Sequence, residues 1–226
     1  MSHGRHGTTM CQKEYREKRG LGAGRHPSHP VIAAYVIPKI KQAFRDIPVT
    51  RRTRLLDVGC GTGFFTYYFD RMCDTWGVDN SEELLSMNPV KKKLLMSAVN
   101  LAFPDDSFDV VFCHALLHHL EHFEDMGRVV REMRRVSRDY VVMLEPNIHN
   151  PFMFLFALLV REERNALRFS RAYFRQIAVR GGLSIVDSFS FGMTLPHRMR
   201  PWMLPLARLF DIRHLMGMTN VLIGRK

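Results

Sequence analysis

The chain has 226 residues, of which 46% are hydrophobic and 24% are charged, and its net charge is +11. This length fits one sizeable α/β domain, and the apolar fraction excludes a wholly disordered chain. The longest apolar run, residues 151–160, is about half of the roughly 20 residues that a membrane-spanning helix needs. The composition therefore predicts a globular protein without a membrane span.

The charge is distributed unevenly along the chain. Residues 1–54 carry 12 Lys/Arg and 3 Asp/Glu, residues 55–150 carry 9 and 15, and residues 151–226 carry 12 and 4. Basic ends around an acidic middle fit an anionic partner such as nucleic acid, a phosphorylated substrate or a lipid surface. They also fit a solvated basic surface that only aids solubility, and the sequence leaves both readings open.

The opening residues and the cysteines bear on localisation. Residues 1–27 are basic but have no apolar core behind them, so we expect no secretory signal. Their glycines and prolines interrupt any regular pattern, which predicts a flexible N-terminal segment before a single domain at residues 28–226. The 4 cysteines show no CxxC spacing. We therefore expect a cytoplasmic protein with reduced thiols and no zinc.

The first predicted elements alternate between helix and strand. A helix is predicted to begin after Ser28, as its cap, and to run to Phe44 in spite of an internal proline. A buried strand, Arg54–Val58, leads into a glycine turn and a helix over residues 63–71. The next strand ends at Asp79, and Ser81 is the predicted cap of the helix that follows.

The remaining pattern continues this alternation. KKLLMSA and SFDVVFCH are predicted strands, FEDMGRVVREMRRVS is an amphipathic helix, and DYVVMLEP is the fifth strand. Residues 150–182 are predicted to be helical in two pieces with a break near residues 165–170. LSIVDSFSF and MTNVLIGRK are the closing strands, and the insertion between them, at about residues 193–215, is predicted to act as a lid. We expect a Rossmann-like, doubly wound α/β fold with a seven-stranded sheet, mostly parallel with an antiparallel closing strand.

The segment LDVGCGTG predicts a ligand-binding loop. It places Asp57 at the end of a strand and then Gly59, Gly61 and Gly63 at alternate positions, where glycine lets the backbone turn tightly and approach a ligand. The dinucleotide fingerprint GxGxxG needs a glycine where this chain has Phe64, which counts against a nicotinamide-dependent dehydrogenase.

The ordered set LDVGCGTG, GVDNS, LAFPDDSFDVV, ALLHHL and LEPN resembles the class I S-adenosylmethionine-dependent methyltransferases, particularly those that act on small molecules. The resemblance covers residues 54–146 and implies S-adenosylmethionine as the cofactor. It implies that the donor is held by Asp57, Gly59, Cys60, Gly61 and Gly63 at its methionine part, by Asp79 at the ribose, by Asn80 beside the adenine, and by Ser97, Ala98 and Val99 at the adenine edge. The family usually has Asp where this chain has Ser97.

Four histidines in VVFCHALLHHLEH are candidates for chemistry. His114 follows the fourth strand, where it would reach the donor, and His118 and His119 fall on the next turn, where only one is expected to face the cleft. We expect His122 to cap or decorate the next helix. An ordinary pKa near 6.5 suits His114, His118 and His119 to general base catalysis. The alternative is that positioning alone carries the reaction.

The acceptor pocket is expected beyond the carboxyl ends of the strands. Its candidate residues are Glu145, Asn147, Phe152, Arg168, His197 and Trp202. The opening helix, around His29 to Tyr35, could cover the same end. The outer segments are apolar as well as basic, which suits a lipid-like acceptor or an anionic membrane surface, although core packing explains most such stretches.

We therefore expect an S-adenosylmethionine-dependent methyltransferase that acts on a small or medium-sized metabolite at oxygen, by in-line displacement without a metal. One alternative is an RNA or peptide methyltransferase, which the basic flanks would suit. The other is a non-catalytic donor-binding protein of the same fold. The sequence does not determine the oligomeric state.

Overall fold

The computed structural model describes residues 25–120, 122–193, 199–209 and 211–226. Its strands are β1 Arg54–Val58, β2 Asp74–Asp79, β3 Lys93–Leu95, β4 Phe108–His114, β5 Ser137–Pro146, β6 Ser184–Phe191 and β7 Thr219–Arg225. They form one seven-stranded sheet in the order β3-β2-β1-β4-β5-β7-β6. Strands β1 to β5 pair in parallel, whereas β7 is antiparallel to β5 and β6. The predicted fold class is confirmed.

Helices cover both faces of the sheet. They are α1 Pro30–Ala43, α2 Thr66–Phe69, α3 Glu82–Met87, α4 Phe123–Val136, α5 Pro151–Leu159, α6 Arg171–Arg180 and α7 Leu204–Arg208, with 3-10 helices at Leu117–His119, Arg161–Arg168 and Pro201–Met203. In α4 the buried residues include Met126, Val129, Val130 and Met133, the spacing that gives a helix one apolar face. Helices α4 and α6 pack on one face of the sheet, and α1 packs on the other.

Two helix caps can be compared with the predicted ones. Ser81 caps α3, as predicted, by accepting a hydrogen bond from Leu84 N at 3.3 Å. The predicted cap of α1 was wrong, because His29 rather than Ser28 holds that position and accepts from Val31 N at 3.2 Å. A proline at residue 30 sets this boundary, since proline fits the first helical position.

Two predicted elements are shorter in the structure. The helix expected over residues 63–71 is only Thr66–Phe69, because Gly63 has φ of 86° and cannot continue a helix. The third strand stops at Leu95, so Ser97, Ala98 and Val99 follow it in a loop instead of ending it.

The loop after β3 is held by α4. Glu132 accepts from Leu101 N at 2.8 Å, and Arg135 donates to the Leu101 carbonyl at 2.7 Å. These side-chain hydrogen bonds hold the loop where the backbone hydrogen bonds of the sheet have ended. Met96 N still donates to the Asp79 carbonyl at 2.9 Å, which keeps this loop beside the end of β2.

The region predicted as two helical pieces contains three. Helix α5 ends at Leu159, the 3-10 helix Arg161–Arg168 follows, and α6 begins at Arg171. A 3-10 helix repeats every three residues, and Glu163, Ala166 and Phe169 are accordingly buried in succession. Because residues three apart share one face of this 3-10 helix, Glu163 points toward the protein interior. The helical region is interrupted at Val160, before the 3-10 helix, and at Phe169 and Ser170, after it.

The described part of the insertion packs on α1. Met199, Leu204 and Ala207 form a small apolar cluster with Val31 and Ala34. The N-terminal half of α1 and the insertion therefore lie together. Across the described ranges, no helix has both the length and the apolar character to cross a bilayer.

Candidate cofactor and active site

The glycine loop is shaped by backbone conformations that glycine tolerates. Gly59, Gly61 and Gly63 have φ of 74°, 48° and 86°. A Cβ atom at Gly63 would lie 2.5 Å from Asn88 Oδ1, so packing also requires glycine there. At Gly61 the nearest polar atom to such a Cβ would be Asp79 Oδ2 at 4.0 Å. The loop thus leaves space at Gly61 for a ligand to approach next to Asp79.

Asp79 has the hydrogen-bonding capacity that a ribose needs. Its Oδ2 accepts from Gly61 N at 2.9 Å, and its Oδ1 accepts from Ser81 N at 2.9 Å. Each carboxylate oxygen can accept two hydrogen bonds, so each retains one for a hydroxyl. Asn80, the next residue, is exposed at the same edge. This edge fits the nucleoside part of S-adenosylmethionine.

Asp57 is buried at the end of β1. Its Oδ2 accepts from Thr66 Oγ1 at 2.6 Å. Burial raises the pKa of Asp57 to about 7, with a further rise from Asp79 and an opposing effect of the Thr66 hydrogen bond. A buried carboxylate of this kind gains from a positively charged ligand, and the ammonium and sulfonium of the donor are both cationic.

His114 lies beside the glycine loop. Val58 pairs with Cys113 across β1 and β4, which places the next residues, Gly59 and His114, side by side. The His114 ring packs on Phe65 with a centroid distance of 4.6 Å. Its Nε2 shares a 2.7 Å hydrogen bond with the Tyr35 hydroxyl. Helix α1 therefore reaches the site, as expected for a segment that covers this end.

Lys39 adds a buried cation one helical turn beyond Tyr35. Its Nζ lies 3.7 Å from the centroid of the Tyr35 ring. Burial lowers the pKa of Lys39 to about 7, and Asp211 of the insertion opposes that shift. Lys39 Nζ also donates to the Tyr35 backbone carbonyl at 3.4 Å.

His118 is buried between two carboxylates. Its Nδ1 lies 2.7 Å from Glu145 Oε2, and its Nε2 lies 3.4 Å from Glu163 Oε2. Burial alone would lower the pKa of His118, but Glu145 and Glu163 together raise it to about 9. The group therefore links β5 to two 3-10 helices as a charged bridge. The neighbouring His119 stacks on it with ring centroids 4.0 Å apart.

The predicted acceptor residues are placed in different environments. Glu145 also accepts from the amides of Leu116 and Leu117, at 2.9 and 2.7 Å, and Asn147 donates to the Leu215 and Gly217 carbonyls at 2.8 and 2.7 Å. The side chains of Glu145 and Asn147 therefore form hydrogen bonds with backbone groups of the protein. Phe152, Arg168 and Trp202 are exposed, His197 lies outside the described residues, and His122 occupies the position before α4 without a side-chain cap bond.

The structure adds residues that sequence reasoning missed: Tyr35, Lys39, Thr66, Asn88 and Glu163. Thr66 was detectable, because a hydroxyl at the helix start after a glycine loop is a natural partner for the preceding carboxylate. The contacts of Tyr35 and Glu163 join distant segments and leave no local signal.

A doubly wound sheet with this glycine loop and two strand-end carboxylates is the arrangement that the resemblance to class I S-adenosylmethionine-dependent methyltransferases implies. The family model described as "Methyltransferase domain" matches residues 56–142, so the resemblance is confirmed and S-adenosylmethionine is the implied cofactor.

Similar proteins agree on this class. Phosphatidylethanolamine N-methyltransferase of Cereibacter sphaeroides is 36% identical over 98 residues, which cover 39% of this chain and 47% of that protein. Ubiquinone biosynthesis O-methyltransferase of Rickettsia bellii is 27% identical over 110 residues, which cover 44% of each chain. A SAM-dependent methyltransferase structure from Thermotoga maritima has a TM-score of 0.67 and 17% identity, and covers 87% of this chain and 91% of that one. The chain thus matches less than half the length of these curated relatives.

Proposed function

We propose that this chain transfers the methyl group of S-adenosylmethionine to a hydroxyl oxygen of a small or medium-sized metabolite without a metal. The observation that carries this proposal is the 2.7 Å contact between Tyr35 Oη and His114 Nε2 beside the glycine loop. Bound S-adenosylmethionine supplies a methyl group on positively charged sulfur, which is already electrophilic. The protein has to align the acceptor and take up its hydroxyl proton.

The Tyr35–His114 pair is suited to that proton transfer. In the tautomer in which Tyr35 donates to His114 Nε2, the acceptor's proton passes to Tyr35 Oη while the tyrosine proton passes to Nε2. The acceptor oxygen keeps the electron pair that forms the new bond, and the positive charge ends on the imidazolium. Both side chains are half-buried, so a substrate can reach them. General bases contribute about 10²–10⁴-fold to such reactions.

The named relatives give limited guidance on the acceptor. One name specifies phosphatidylethanolamine and nitrogen, and the other specifies oxygen methylation in ubiquinone biosynthesis. They support an acceptor with a lipid-like portion for this chain without selecting the atom. Support for oxygen comes from the Tyr35–His114 pair, because a free amine can be methylated without a general base.

The test is transfer of labelled methyl from S-adenosylmethionine into fractionated cell extract, followed by identification of the labelled product. The proposal predicts a small molecule that carries a new methyl ether, whereas a methyl ester would indicate a carboxylate acceptor that needs no general base. Label in RNA or polypeptide would instead support the alternative substrates. Calorimetry in parallel measures donor binding, and donor binding without a product from any fraction would support a non-catalytic donor-binding protein.

A further inference from the structure

Helix α5 has an unusual combination of composition and exposure. Its sequence, PFMFLFALL, is apolar at every position, and a helix that is apolar all round is normally buried. Here only Ala157 is fully buried, while Phe152 and Leu159 are 60% and 73% exposed. Packing against the core of the described chain therefore does not explain why α5 is apolar at every position.

A second apolar segment is joined to the start of α5. Residues 201–216 expose Trp202, Leu206 and Leu209 by 65–75%. Asn150, the cap of α5, donates from Nδ2 to the Met216 carbonyl at 2.6 Å, which fixes the end of this segment to the start of α5. We call α5 together with the exposed side chains of Trp202, Leu206, Leu209, Ile212, Leu215 and Met216 the apolar face. Large exposed apolar patches normally mark an interaction site.

Basic side chains border the apolar face. Arg161, Arg164 and Arg168 are exposed directly after α5, Arg200 is exposed just before the second segment, and Arg208 is exposed within it. Residues 151–226 as a whole carry 12 Lys/Arg against 4 Asp/Glu. This charge complements an anionic surface. A second copy of the same face would place arginines against arginines, which disfavours a symmetric dimer here.

The apolar face adjoins the candidate active site. Four residues separate the end of β5 from the start of α5, and the insertion packs on Val31 and Ala34, beside Tyr35 in α1. At about 1.5 Å per residue, α5 is too short to cross a bilayer but long enough to lie in its interface.

We propose that the apolar face docks on an anionic membrane surface, with its leucine and phenylalanine side chains among the acyl chains and the bordering arginines on lipid phosphates. This docking goes beyond methyl transfer and does not require it. It places the end of the sheet that carries Tyr35 and His114 toward the bilayer.

The first experiment is co-sedimentation of the full chain with vesicles of phosphatidylcholine alone or of phosphatidylcholine and phosphatidylglycerol in equal amounts. We expect binding to the anionic vesicles that weakens with added salt, since salt screens the arginines. The double variant Leu155→Gln/Leu159→Gln should bind at least about tenfold more weakly, because two apolar side chains leave the interface. The control Val179→Gln/Val186→Gln alters two exposed valines on α6 and β6 and should bind as the original chain does.

A second measurement reports the docked residues directly. In the Trp76→Phe variant the remaining indole is Trp202, and its fluorescence should shift to shorter wavelength with anionic vesicles and be quenched by brominated lipid. Calorimetric donor binding shows that each variant is folded, and sedimentation velocity gives its oligomeric state. The proposal is overturned by absent vesicle binding, by equal binding of the two double variants, or by a dimer that only Leu155→Gln/Leu159→Gln dissociates. Methyl transfer can fail in all cases without affecting these readouts.

Discussion

Tyr35 and His114 are 79 positions apart in sequence and share a hydrogen bond at the end of β4. We predict that Tyr35→Phe lowers kcat by about 10²-fold or more and leaves the donor dissociation constant unchanged, because only proton uptake is affected. Steady-state kinetics and calorimetry measure these quantities. Tyr140→Phe, which removes a hydroxyl in the first half of β5, is the matched control. Full turnover by Tyr35→Phe would contradict the assigned role.

We predict that donor binding depends on pH through Asp57. Burial raises its pKa to about 7 in the ligand-free protein, and a cationic donor favours the ionised form. Donor affinity should therefore be full above that pKa and fall by up to about tenfold per pH unit below it. Titrations in buffers with different ionisation heats should show proton release near neutral pH.

The variant Asp57→Asn should bind the donor weakly with a flat pH profile, whereas Asp70→Asn, at an exposed site, should keep the original profile. A flat profile in the unmodified chain would refute proton linkage at Asp57.

At the scale of elements, the 3-10 helix Arg161–Arg168 is tied to the 3-10 helix Leu117–His119 through His118. The pKa of His118 is raised from 6.5 to about 9, so its stabilising charge is fully present below about 6.5 and is lost as pH rises through about 9. Glu163→Gln should lower the pH at which this stabilisation is lost. It should also reduce the free energy of unfolding by about 1.5–3 kcal/mol at neutral pH. Urea unfolding over a range of pH measures both effects.

The adjacent substitution Glu162→Gln is the control for that experiment, since Glu162 is only half-buried and is not paired with His118 in the structure. If both variants unfold alike at every pH, the bridge does not join the two helices energetically.

The same elements show what local patterns predict. Strand Arg54–Val58 and the Ser81 cap were predicted correctly, because a buried apolar run and a capping hydroxyl are local signals. The third strand was predicted too long, since the chain after Leu95 leaves the sheet and the loop that follows is held at Leu101 by Glu132 and Arg135 in α4. The predicted break near residues 165–170 is present at Phe169 and Ser170, whereas the additional interruption at Val160 was not predicted.

For the whole molecule, the motif order predicted the fold and the cofactor class, since most of the motifs fall at the carboxyl ends of strands. It did not predict the Tyr35–His114 pair or the position of Lys39 near Asp211, because these contacts join α1 to distant segments. The structure shows exposed basic side chains directly after α5, an apolar helix whose side chains are largely exposed. Composition alone does not reveal this exposure, which supports the proposed docking on an anionic surface.

The amides of Leu116 and Leu117, at the turn after β4, already bind an anion, and that anion is the protein's own Glu145. Such paired amides commonly receive a substrate carboxylate or phosphate in enzymes. Here the two amides already donate to Glu145 of the same chain. These two amides are therefore not open to an acidic group of the acceptor.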